Sequence, residues 1–123
     1  MHQLRKNEMS QHRMSGKLKA FMTKKGAGRL YSDGVGGSNN KVYAFNMKGT
    51  MDEAQEGLEA LLEYVGDQNY AVRTYRISIR TQAEGLQLWK TSTVYFRNGK
   101  ELKKAGPGEN RWRVSVSYTK PAN

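Results

Sequence analysis

The 123-residue chain predicts an α+β fold, a single domain in which an antiparallel sheet of about five strands carries one amphipathic acidic helix on one face. Three observations lead there. Residues 50–66 place apolar side chains at helical spacing between a start signal and a stop. On either side of that segment the apolar period is two, the repeat of a half-buried strand. A chain of 123 residues is also long enough for one core and too short for two.

Residues 1–16 are polar and basic and read as a flexible tail, which leaves 17–123 as the folded unit. Residues 17–23 and 29–32 are expected to form a β-hairpin across Lys24, Lys25, Gly26, Ala27 and Gly28. A glycine-rich loop follows over 32–41. It matches neither a P-loop nor a dinucleotide fingerprint, because no strand, turn and helix of the required spacing surround it, and it reads as a connector. Residues 41–48 then form a strand through Val42, Tyr43, Phe45 and Met47.

That strand leads into the helix. Thr50 and Glu53 have the spacing of a capping box, and the acids of the first turn oppose the positive end of the helix dipole. Ala54, Leu58, Leu61, Leu62 and Val65 make the apolar stripe, Gly66 is the expected stop, and Asp52, Glu56, Glu59 and Glu63 form an outer row. In the next strand, 70–81, Tyr75, Ile77 and Ile79 point one way and Thr74, Arg76, Ser78 and Arg80 the other. Over 86–97, Leu86, Leu88, Val94 and Phe96 share a face, opposite Trp89, Thr91, Thr93, Tyr95 and Arg97. Asn98-Gly99 is a type I′ turn signal, with 100–104 returning as a short strand and 105–110 as a second turn or exposed loop. The final strand alternates Trp112, Val114, Val116 and Tyr118 with Arg111, Arg113, Ser115, Ser117 and Thr119. The expected order is β-hairpin, β, α, β, β, β.

Charge is sorted along this plan. Residues 1–49 carry +8, residues 50–69 carry −6 with no Lys or Arg, and residues 70–123 carry +8, for a net +10. Gathering most of the acids on one element leaves the remaining surface with a positive field that favours polyanions, nucleic acid foremost. If the helix covers one sheet face, the other presents Arg76, Arg80, Trp89, Tyr95, Arg97, Arg111 and Arg113. Guanidinium groups there neutralise phosphates and aromatic rings stack on bases, an arrangement suited to single-stranded DNA or RNA. Lys24, Lys25, Lys103 and Lys104, at expected turns, add attraction blind to sequence. A second reading buries Trp89 and Tyr95 beneath the N-terminal hairpin as further core.

Other classes find less in the sequence. There is no cysteine, and both histidines, His2 and His12, fall in the tail, so no enzyme, cofactor or metal site is expected. No apolar run approaches the ~20 residues of a membrane span, and the N-terminal residues lack the apolar stretch of a signal peptide. A soluble, cytoplasmic protein is expected. The alternative function is a protein-binding or assembly module, with Asp52, Glu56, Glu59 and Glu63 meeting another copy or another protein. It would be a particle subunit, or a small inhibitor docking on a nucleic-acid enzyme, of the kind viruses and mobile elements encode.

Overall fold

The computed structural model describes residues 16–34, 39–82, 89–105 and 108–121; of residues 33, 34, 82 and 89–93 it describes the backbone alone. The elements, in chain order, are α1 (Lys17–Lys25), β1 (Tyr31–Gly34), β2 (Asn40–Gly49), α2 (Met51–Asp67), β3 (Ala71–Gln82), β4 (Trp89–Arg97), β5 (Lys100–Glu101) and β6 (Asn110–Thr119). The six strands form one antiparallel sheet in the order β1-β2-β6-β3-β4-β5. Both helices cover one face of it. The molecule is an α+β domain, as its periodicities predict. No helix among the described residues is long and apolar enough to cross a membrane. The predicted tail, 1–16, lies almost wholly outside the described residues.

The helix α2 forms because its ends and its stripe agree. Thr50 Oγ1 accepts from the Glu53 amide at 3.2 Å, and the Glu53 carboxylate accepts from the Thr50 amide at 2.9 Å, closing the capping box. Ala54, Leu58, Leu61 and Val65 are buried against the sheet, with Met51, Ala60 and Tyr64 beside them. The helix runs through Gly66 rather than stopping there. It ends where Asn69 takes a left-handed φ of 62° and Tyr70 N–H donates to the Val65 carbonyl at 3.3 Å.

The expected N-terminal hairpin is corrected in its first arm. Residues 17–25 are helical, and β1 pairs with β2 instead. Leu18, Phe21 and Met22, spaced three and four apart, bury one side of α1, and the Gly26-Ala27-Gly28 segment that resembled a hairpin turn is a helix stop. Gly26 has φ 64°, its amide donates to the Thr23 carbonyl, and Ala27 N–H donates to the Met22 carbonyl at 2.9 Å. The expected loop over 32–41 is largely strand at its flanks, Gly34 pairing with Lys41, while residues 35–38 lie outside the described part.

The core lies between helices and sheet. Trp112, Val114, Val116 and Tyr118 of β6 have no exposed surface, and Phe45 and Ile77 flank them from β2 and β3. The Trp112 indole N–H donates to the Gly49 carbonyl at 2.7 Å, fixing the corner where β2 turns into α2. Beneath the end of α2, Tyr118 stacks between Tyr43 and Tyr70, with centroids 4.6 and 5.0 Å away. Burial foremost pushes the ionisation of the Tyr118 hydroxyl well above the ordinary tyrosine range. Asn98 and Gly99, with φ 50° and 79°, make the tight turn from β4 to β5 that their sequence predicts.

Two substitutions test this packing. A Cβ at Gly57 would lie 2.7 Å from the Phe21 ring and 3.0 Å from Phe45, so Gly57→Ala is expected to lower the melting temperature. Overpacking of about 1–3 kcal/mol outweighs the roughly 1 kcal/mol gained in helix propensity. The buried Tyr118 hydroxyl lies near those of Tyr43 and Ser32 but meets neither in full hydrogen-bond geometry, so Tyr118→Phe should leave chemical-denaturation stability equal or raise it by about 1 kcal/mol. A loss of similar size would show the hydroxyl to be bonded.

Candidate nucleic-acid interface

Strand register decides which side chains share the face opposite the two described helices, since residues directly opposite on neighbouring strands point the same way. One row crosses five strands as Tyr31, Ala44, Ser115, Arg76 and Arg97. The next is Asn46, Arg113, Ser78 and Val94. Lys48 faces Arg111, with Arg80 one step past the last pair of β3 and β6. On the other side of the first row stand Val42, Ser117 and Thr74. Neighbours along a strand on this face are ~7 Å apart and adjacent strands ~4.8 Å.

The arginines are thus a cluster contributed by three adjacent strands. Arg76, Arg97 and Arg111 are exposed, and Arg80 and Arg113 half-buried. Burial is the first cause lowering the Arg80 pKa; Arg113 and then Arg111 act in the same direction, and Tyr31 opposes them. The guanidinium stays charged, so the shift reports its partial burial first and its arginine neighbours second. Arg76 and Arg97 face each other directly, a like-charge pair that costs stability, and neither has an acid partner among the described residues. The α2 acids Asp52, Glu56, Glu59 and Glu63 are exposed on the other side of the sheet. Between Arg76, Arg97, Thr74, Ser115, Ser117 and Val42 the face dips into an open concavity of about 410 Å³.

Five of the predicted contact residues, Arg76, Arg80, Arg97, Arg111 and Arg113, therefore come together. Tyr95 does not join them. It is 8% exposed and lies on the helix side, edge-on to Trp112 with centroids 5.5 Å apart. The reason is a β-bulge. Ile77 pairs with Phe96 and Ser78 with Val94, which leaves Tyr95 as the extra residue and reverses the alternation of β4 at that point. Tyr95 is core, beside Trp112 and the segment that carries Leu102 and Lys103, and not under a hairpin. The backbone of Trp89 pairs with Gln82 in β4, and its side chain lies outside the described residues.

The four lysines are elsewhere. Lys25 is ion-paired with Glu53, and Lys24 lines a groove between α1 and α2 with Glu56. Lys103 stands 5.9 Å from the Tyr95 ring centre, and Lys104 lines a hollow with Asp52 and Glu101 by the first turn of α2. All four lie with the helix layer, where Lys17 also approaches Glu63 at 3.8 Å. Sequence reasoning missed Tyr31, which is 36% exposed on the arginine face with the Arg29 guanidinium 4.9 Å from its ring centre. It also missed Lys48. The alternation of Ala44, Asn46 and Lys48 against Phe45 and Met47 is the signal that places Lys48 there.

Comparison of the chain with protein-family models, curated proteins and solved structures finds no match.

The division of faces predicts that Tyr95→Ala behaves as a core truncation, lowering unfolding free energy by about 3 kcal/mol. Arg111→Ala, on an exposed strand position, should stay within about 0.5 kcal/mol of the parent in the same denaturation assay.

Proposed function

We propose that this protein binds nucleic acid, single strands in preference to duplex, through the sheet face opposite the two described helices. The observation that carries the reading is the convergence of Arg76, Arg80, Arg97, Arg111 and Arg113 on one face while the acids of α2 stand on the other. Arginine forks suit phosphate, and a face of this kind holds a backbone without reading bases. Five strands at ~4.8 Å spacing make a twisted surface about 19 Å wide. A flexible single strand can lie along it, whereas the curved wall of a duplex touches it over few phosphates. With Tyr95 in the core, phosphate contact leads and stacking is secondary, supplied at Tyr31 among the described side chains.

The exposure of Asp52, Glu56 and Glu59 supports a second reading, a protein-binding module whose partner meets the α2 row. Glu63 and Glu53 are less available to a partner, being engaged by Lys17 and Lys25 of the same chain. In that reading the protein is a particle subunit or an inhibitor that occupies a nucleic-acid site.

Fluorescence anisotropy with labelled single-stranded and duplex probes across a salt series separates the two. Single strands should bind more tightly than duplex, and Arg111→Ala and Arg113→Ala should each lower the slope of log K against log salt by about 0.7. Lys24→Ala, on the helix side, should leave the slope within error. Equal, weak binding to every probe, or a slope moved as much by Lys24→Ala as by the arginine variants, would give the protein-binding reading first place.

A further inference from the structure

Resting on the nucleic-acid reading above, we infer that the concavity between β2, β6, β3 and β4 is a ribonucleotide subsite, so that the face selects RNA over DNA. Its walls carry the chemistry of one nucleotide. Arg76 and Arg97, directly opposed on β3 and β4, present two guanidinium groups from one side. Beside them Ser115 faces Arg76, and Ser117 faces Thr74, so three hydroxyls surround the same hollow. Val42 and part of Tyr75 complete the lining.

Two features distinguish this set from ordinary strand polarity. The hydroxyls of Thr74, Ser115 and Ser117 make no side-chain hydrogen bond among the described residues, whereas Thr119, next along the same row, donates to Asn40 Oδ1 at 3.0 Å. Arg76 and Arg97 have no acid partner among the described residues and face each other as like charges, a cost that a phosphate between them removes. A phosphate on the arginines sets the adjoining sugar over the hydroxyls. A serine or threonine hydroxyl both donates and accepts, matching the 2′-hydroxyl, which does the same and is the group by which a site tells RNA from DNA. The volume, about 410 Å³, is that of a pocket for one such unit.

The test compares a labelled single-stranded RNA with DNA of the same sequence and with the 2′-O-methyl RNA, by anisotropy on the full chain. RNA should bind at least about 5-fold more tightly than DNA, the equivalent of one or two hydrogen bonds, and 2′-O-methylation should remove most of that advantage. The combined variant Thr74→Val, Ser115→Ala and Ser117→Ala should close the gap between RNA and DNA, with a thermal melt to confirm folding. If that variant does not fold, Ser117→Ala alone should narrow the gap. RNA and DNA binding equally to the parent protein would overturn the subsite and leave the nucleic-acid reading standing. Binding to neither would sink both, and an RNA preference that persists undiminished in the folded variants would place its origin away from this hollow.

Discussion

The fold depends on β6. It has a long antiparallel partner on each side, β2 through ten paired positions and β3 through eight. Its alternation sends Trp112, Val114, Val116 and Tyr118 under α2 and sends Arg111, Arg113, Ser115 and Ser117 to the opposite side. One residue of slip would exchange these sets, burying arginines beneath the helix, so register is strongly specified. Trp112 adds a second constraint. Its indole N–H is held by the Gly49 carbonyl, so the side chain that fills the core also sets the angle at which β2 turns into α2. That corner is tight, since a Cβ at Gly49 would come within 2.6 Å of the Glu53 carboxylate that closes the helix cap.

With both described helices on one side, the sheet has two unlike faces, and the charge pattern follows the layers. Lysines of α1 answer acids of α2 within the helix layer, through Lys17 with Glu63 and Lys25 with Glu53. The arginines of β3, β4 and β6 stand apart from them across the thickness of the sheet. A cluster of this kind lowers stability through self-repulsion while raising the local concentration of anions. The lowered pKa of Arg80, caused by burial first and then by Arg113 and Arg111, runs in the direction of that cost.

Much of this plan is legible in the sequence. The capping box at Thr50, the stripe of α2, the Asn98-Gly99 turn and the alternation of β6 rest on local spacing, and each forms as its spacing predicts. Two features escape for physical reasons. Residues 17–23 fit period two through Leu18, Ala20 and Met22 and helical period through Leu18, Phe21 and Met22; the packing of Phe21 against Phe45, centroids 6.2 Å apart, belongs to the helical choice. The position of Tyr95 turns on a bulge, which a strictly alternating reading cannot represent. Its trace is the run Val94-Tyr95-Phe96, three apolar residues that cannot all alternate between faces. Strand order escapes too, and with it the meeting of Tyr31 with the arginine face, because pairing between distant segments leaves no local mark.

The central strand also comes last among the six in the chain. Asn40 and Thr119, bonded through their side chains, are 79 residues apart in sequence. During synthesis α2 and the hairpin of β3 and β4 can form from neighbours, but β2 and β3 have no one to separate them until β6 has been made. Closing so long a loop is entropically costly and places the decisive contacts late, the circumstance in which folding is slow. Until then the inner edges of β2 and β3 stand unpaired, ready to accept a strand from any chain nearby. The arrangement that gives the finished sheet its rigid middle leaves the unfinished one divided, and makes the interval before β6 arrives the period of greatest exposure to misassembly.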